Sequence, residues 1–199
     1  MVRGEGKKSI KTVWIFCEGA KTEKYYFDKL KVDLRLRSLK IKVNSSNNKD
    51  PVGIIKHILN FKKHTRDFLE GDLIFCVFDR DANSDQSLLD AKKMSELNDI
   101  NLIFSNPCFE FWILSHFECY MKQIEHGALK SKLDTHLGGY KKTDPELYTK
   151  TKQKIGIAVK NSKQINDMHY SNGMEIISRN SNPSTLVFEL VETLQTFNP

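Results

Sequence analysis

Two stretches decide the fold: Thr12-Val-Trp-Ile-Phe-Cys-Glu-Gly19 and Leu73-Ile-Phe-Cys-Val-Phe-Asp-Arg-Asp81. Each is a short, unbroken apolar run that stops abruptly on acidic residues. A continuous apolar run of this length fits a strand buried on both faces of a parallel sheet, where helices cover each side. Working outward from the first run, Tyr26, Leu30 and Leu34 recur every four residues among Lys, Asp and Arg. This predicts an amphipathic helix from Thr22 to near Arg37. Leu39-Lys-Ile-Lys-Val43 alternates like a strand, Asn44 to Asp50 reads as a polar loop, and Pro51 opens a second helix with Ile54, Ile58 and Phe61 facing inward. Beyond the second run, Ala82-Asn83-Ser84 is a polar turn, Gln86 to Leu97 reads as a third helix, and Ile100 to Phe104 as a fourth strand. The alternation of strand and helix predicts right-handed crossovers and an open, mostly parallel α/β sheet.

Ser105-Asn106-Pro107 follows, with Asn106 as expected N-cap and Pro107 in the first turn of an almost wholly apolar helix through Phe117. Lys122 to Lys154 is polar and Lys-rich, with Gly138-Gly139 near its middle, and predicts a loop with short helical pieces. Thr151 to Asn166 is helix-like. A second Ser181-Asn182-Pro183 is expected to launch a terminal helix with Val187, Leu190, Val191 and Leu194 on one stripe. The expected layout is a basic lead-in at 1–11, an α/β core at 12–121 and a mostly helical extension at 122–199 packed on that core.

Length and composition bound the rest. The chain has 199 residues, 39% of them hydrophobic and 28% charged, which supports one cored domain plus an appended segment. No run approaches the roughly 20 apolar residues of a membrane helix and the N-terminus has no apolar signal region, so the expectation is a soluble, cytoplasmic protein. A net charge of +6 and a pI near 9.0 favour phosphate-rich partners. Cys17, Cys76, Cys108 and Cys119 sit singly in apolar surroundings without CxxC spacing, which predicts buried free thiols rather than a zinc site or a disulfide framework.

In an open α/β sheet the functional crevice lies at the carboxyl ends of the strands. Glu18 falls there after the first strand, and Asp79 and Asp81 after the third. In an extended chain, residues two apart point to one side, so the two aspartates can share a hard divalent cation. Three carboxylates gathered without a cation would repel one another and raise a pKa. Solvated capping roles explain each acid taken singly. Gly19 leaves room for backbone to approach a phosphate beside Glu18.

This combination resembles the TOPRIM domain of type II and type IA topoisomerases, DnaG-type primases and OLD-family nucleases, over about Val13 to Phe104. Cys17-Glu-Gly-Ala-Lys-Thr-Glu23, Phe78-Asp-Arg-Asp81, Ser105-Asn-Pro-Cys-Phe-Glu-Phe-Trp-Ile-Leu-Ser-His-Phe117 and Asn182-Pro-Ser-Thr185 together resemble the RloB-like family. That resemblance spans nearly the whole chain. It implies a small TOPRIM protein of restriction-modification and phage-defence loci, often encoded beside an ABC-type or AAA ATPase. It further implies Mg²⁺ (or Mn²⁺) on Glu18, Asp79 and Asp81, supporting phosphodiester hydrolysis in DNA or RNA. A topoisomerase or primase needs modules that do not fit in 199 residues. A DxD phosphatase is disfavoured because that motif normally ends the first strand. A non-catalytic nucleic-acid-binding or regulatory subunit of an ATPase complex is the alternative.

Further candidates are weaker. Glu110, alone in an apolar helix, either bonds helix-start amides or joins the active site. His116 is either a satisfied core histidine or an acid/base group, and it lies on another face of that helix. Lys21 and Lys24 are candidate phosphate contacts, as are Lys141 and Lys142 after the Gly138-Gly139-Tyr140 segment. The basic face of the second helix (Lys56, Lys62, Lys63, Arg66) is a candidate for non-specific phosphate contact. Solvated surface lysines explain each of these as well.

Overall fold

The computed structural model describes residues 12–19, 21–43, 50–81 and 83–197. The basic lead-in, most of the loop expected at 44–50 and Ala82 of the polar turn lie outside the described residues. In chain order the elements are β1 (Val13–Cys17), α1 (Thr22–Asp33), β2 (Leu39–Val43), α2 (Pro51–His64), β3 (Leu73–Asp79), α3 (Asp85–Glu96) and β4 (Ile100–Asn106). There follow α4 (Glu110–Ser115), α5 (His126–Leu137), α6 (Leu147–Thr151), α7 (Ile155–Ser171), β5 (Ser184–Thr185) and α8 (Val187–Thr196). The strands form one sheet in the order β2-β1-β3-β4-β5. The first four are parallel, with Cys17 beside both Val43 and Val77 and Asp79 beside Ser105, while β5 runs antiparallel to β4. This is an α/β fold with a mostly parallel sheet flanked by helices and followed by C-terminal helices. No helix among the described residues is long and apolar enough to cross a membrane.

The apolar runs form the core. All five residues of β1 are buried, as are Ile74 to Phe78 of β3, and Trp14 and Trp112 are completely inside. Tyr26, Phe109 and Trp112 meet edge to face over the sheet, an arrangement that suits the aromatic quadrupole.

Element boundaries depart from expectation where local signals compete with distant partners. α1 ends at Asp33 rather than near Arg37, because Arg35 adopts a left-handed φ of 54° and Leu36 N–H donates to Lys31 O at 3.0 Å, closing the helix in the geometry usually supplied by glycine. Asn106 does not cap the aromatic helix. It is the last residue of β4, its side chain donates to Ser178 O at 3.2 Å, and α4 starts only at Glu110. The second Ser-Asn-Pro likewise caps nothing. Asn182 is turned to Ile124, accepting its N–H at 2.9 Å and donating to its carbonyl at 3.0 Å, while Ser184–Thr185 becomes β5 and α8 begins at Val187. The segment expected to be loop contains the twelve-residue α5, held by Leu129 and Leu133 and stopped by Gly138 at φ 67°. α7 starts at Ile155 after a 3₁₀ turn and extends to Ser171, beyond the expected Asn166.

Candidate metal centre

The chain leaves β1 for β2 on one side and returns to β3 on the other, so the order reverses between β1 and β3. That reversal opens a crevice at their carboxyl ends, the place where open α/β sheets bind ligands. Glu18 N–H extends the ladder by donating to Val77 O at 3.0 Å, and the Glu18 carboxylate lies 3.5 Å from the Asp79 backbone nitrogen.

Asp79 is buried, with Oδ1 accepting the Phe109 N–H at 2.8 Å. That bond draws the 107–109 loop across the crevice and delivers Cys108 and Glu110. Donor atoms of Asp79, Cys108 and Glu110 all fall within 4.8 Å of one another. Glu110 Oε1 accepts from the Tyr140 hydroxyl at 2.7 Å and faces Lys142 Nζ at 3.8 Å. Its Oε2 is buried with no hydrogen-bond partner. Glu23, in the first turn of α1, is buried beside them; a Cβ placed on Gly19 would come 2.3 Å from its Oε2. The space beside Gly19 is therefore filled by a carboxylate, not left for a phosphate as the sequence suggested.

The electrostatics are unfavourable as they stand. Burial, and then the neighbouring Glu23, Glu110, Asp81 and Glu18, push the Asp79 carboxyl well above the usual range. Glu23 is raised too, by burial and by Glu110 and Asp81. Burial alone would depress the Lys142 ammonium, but Glu110, Asp79, Cys108 and Glu23 outweigh it and raise the pKa. An acidic pocket of this kind is relieved by a cation, and oxygen donors suit a hard divalent one.

The chain is not extended at Asp81, so the extended-strand spacing expected for the pair does not apply. Asp81 sits in a turn with φ 33°, a conformation that aspartate tolerates better than most residues. Its carboxylate is half exposed and lies 3.6 Å from His126 Nε2, while His126 Nδ1 lies 3.5 Å from Cys108 Sγ. Cys108 is thus set among acids and a histidine rather than in apolar surroundings. Burial, followed by Glu110 and Asp79, pushes its thiol up. Cys17 and Cys76 are buried free thiols as expected.

Of the other sequence candidates, Glu110 joins the acidic group and His116 does not. His116 is fully buried, donating through Nδ1 to Trp112 O at 3.0 Å and facing the Tyr26 hydroxyl through Nε2 at 3.4 Å. Burial lowers its pKa to about 4, assisted by Lys154. Lys24 is paired with Asp28 on its own helix, and Lys21 is exposed just before α1. Lys62 and Lys63 close the last turn of α2. α2 runs against the strands, so they sit toward the opposite edge of the sheet from Asp79. Lys141 and Lys142 line a cavity of about 440 Å³ with Cys108, Glu110, His126 and Tyr140, directly beside the acidic group. Tyr140 itself is nearly buried and spends its hydroxyl on Glu110. The residues that sequence reasoning passed over are Glu23, Cys108 and His126. Glu23 had a signal, since it closes the Cys17-to-Glu23 stretch; His126 had none.

The fold and site together define an α/β protein with a buried acidic group at the switch point of a mostly parallel sheet. The chain belongs to the RloB-like protein family, whose model matches residues 13–194. No curated protein and no solved structure matches it significantly.

Proposed function

We propose that this chain is a metal-dependent nuclease with a TOPRIM-like centre, hydrolysing phosphodiester bonds in DNA or RNA, with Glu18, Asp79 and Asp81 holding Mg²⁺ or Mn²⁺ and Glu110 Oε2 turned to the same cation. The observation that carries this reading is the burial of Asp79, Glu23 and Glu110 together, with Glu110 Oε2 lacking any partner. A buried carboxylate oxygen without a donor is costly, and a cation satisfies it. The bound cation would supply charge neutralisation at the scissile phosphate and an acidified water.

The protein's own groups do the rest. Lys142, held near Glu110, and Lys141 at the cavity rim draw the phosphate backbone toward the crevice. Tyr140 fixes the Glu110 carboxylate through its hydroxyl. Glu23, beside Gly19 and with its carboxyl raised by burial, is the group placed to accept a proton from water. The basic end of α2 faces away and serves, at most, a longer nucleic acid that wraps the sheet edge. Family membership supports a role in anti-phage defence beside an ABC-type or AAA ATPase.

The test is incubation of the purified protein with plasmid, single-stranded DNA and total tRNA in Mg²⁺, Mn²⁺ or EDTA, beside Glu18→Ala and Asp79→Ala. Metal-dependent cleavage lost in both variants is the expected result. Nucleic-acid binding that needs no metal and survives both substitutions, without cleavage in the presence or absence of the ATPase, would make the chain a binding subunit instead.

A further inference from the structure

At the end of the sheet opposite the acidic group, where β1 and β2 begin, a cavity of about 630 Å³ is lined by Arg35, Arg37 and Lys40, with Thr12, Ser38 and Phe197 in its wall. Among the described residues no acidic side chain lines it. The three cations are exposed, and none of them makes an ion pair among the described residues. The nearby acids are engaged elsewhere. Asp33 holds Lys152 Nζ at 2.8 Å and accepts from the Tyr148 hydroxyl at 2.9 Å, and Asp72 accepts the Thr12 N–H at 2.8 Å and the Trp14 indole N–H at 2.9 Å.

Three like charges around one concavity repel one another until an anion sits between them. Arg35 is held there with φ at 54°, a conformation in which glycine is the usual residue and a long side chain is strained. Lys40 Nζ lies 5.6 Å from the centre of the Trp14 ring, a cation–π contact that holds the side chain against the sheet. α2 ends on the same face, with Phe61 5.8 Å from Trp14, so Lys62 and Lys63 carry the positive charge on past Lys40. Phe197 adds an aromatic wall, and the Thr12 and Ser38 hydroxyls, unbonded among the described residues, add donors.

We propose that this cavity binds the backbone of a single-stranded nucleic acid, with Arg35, Arg37 and Lys40 on successive phosphates and Phe197 beside a base, as a site separate from the cation centre and independent of it. Cations that track the backbone beside an aromatic ring that stacks a base are the combination single-strand sites use, and the planar fork of arginine matches a phosphate. An anionic membrane calls for an amphipathic basic face with apolar side chains on it, which a concave cavity does not offer. The five residues of β1, at about 3.3 Å each, put the cavity about 17 Å from Glu18. A strand that reaches both ends of the sheet therefore spans at least about five nucleotides, at about 3.4 Å each.

Fluorescence anisotropy of a labelled single strand of about 20 nucleotides, titrated with the full chain in EDTA, reads this site with no metal bound and no cleavage. The triple variant Arg35→Gly, Arg37→Ala, Lys40→Ala should bind at least tenfold more weakly than the wild type. The slope of log K against log salt should fall in magnitude by about 2, at about 0.7 for each lost phosphate contact. Arg35→Gly alone should weaken binding while its Tm equals or exceeds that of the wild type, because glycine takes a positive φ without strain; a merely structural residue would not separate the two readouts. Lys160→Ala, an exposed lysine on α7, should bind like the wild type. Affinity and salt slope unchanged in the triple variant would overturn the proposal, as would capture of the chain by phosphatidylserine vesicles, lost in the triple variant, with no binding of the oligonucleotide. Neither result touches the cation centre, whose own test is metal-dependent cleavage.

Discussion

Acidification from pH 7 to pH 5 should destabilise this protein through His116, by an amount that the structure allows to be worked out. The imidazole is fully buried, with Nδ1 donating to Trp112 O at 3.0 Å and its ring 4.9 Å from the Trp112 ring, and its pKa is lowered to about 4. In the unfolded chain a histidine titrates near 6.5. Between these values the unfolded state binds the additional proton, so stability rises with pH. The contribution of the neutral ring is complete above about pH 6.5 and is lost as pH falls toward 4. At about 1.4 kcal/mol per pH unit, the interval from 6.5 down to pH 5 amounts to about 2 kcal/mol. Asp79 and Glu23, with raised pKa values, tilt the curve the other way, so the comparison must be with a variant. Urea denaturation of the wild-type chain and His116→Asn at both pH values isolates the term: the wild type should lose about 2 kcal/mol more than the variant, or about 4–8 °C in Tm for a chain of this size. Equal pH dependence in the two proteins, or a His116 resonance titrating near 6.5, would refute the core assignment and return His116 to the list of acid/base candidates.

Three other perturbations have defined outcomes. Asp79→Asn keeps an oxygen to accept the Phe109 N–H but cannot carry charge, so its Tm without metal should equal or exceed the wild type by up to about 1 kcal/mol equivalent. The same variant should lose the stabilisation of about 2.7 kcal/mol that Mg²⁺ at a hundredfold excess over Kd gives the wild type, both read by thermal melts with Mg²⁺ and with EDTA. Gly19→Ala places a Cβ 2.3 Å from Glu23 Oε2; this carboxylate ends a flexible side chain and can swing away, so the melt should shift by less than about 1 kcal/mol while cleavage falls at least tenfold. Asn182→Ala removes both bonds to Ile124 and leaves two part-buried backbone groups unpaired, which should cost about 1–3 kcal/mol in urea denaturation.

The four parallel strands and the helices between them were legible because their signal is local. An unbroken apolar run such as Leu73 to Phe78 has one comfortable place, between two helical layers. The acidic strand ends were legible for the same reason, since Glu18 and Asp79 terminate those runs. The two Ser-Asn-Pro tripeptides were misleading because asparagine side chains satisfy whichever backbone groups are nearest in space: Asn106 serves Ser178 and Asn182 serves Ile124, neither reachable by a local rule. Two-residue β5 has no sequence signature, and α5 buries Leu129 and Leu133, with Leu137 packed beside them, on a mostly polar cylinder. Glu23 was not singled out because burial of a carboxylate is never the local expectation; only the convergence of α1 with the Asp79 and Glu110 segments places it inside. Cys108 and His126 meet through the packing of the 107–109 loop against the start of α5, a contact that no spacing in the chain announces.

The central claim is that the acidic group at the β1–β3 crevice holds a divalent cation, and the most direct measurement is a Mn²⁺ titration followed by the electron paramagnetic resonance signal of the free ion. The wild-type chain should deplete that signal at stoichiometric protein, Mg²⁺ should restore it, and Asp79→Asn, folded by circular dichroism, should leave it undepleted. No depletion by the wild type, or equal depletion by Asp79→Asn, would contradict the account.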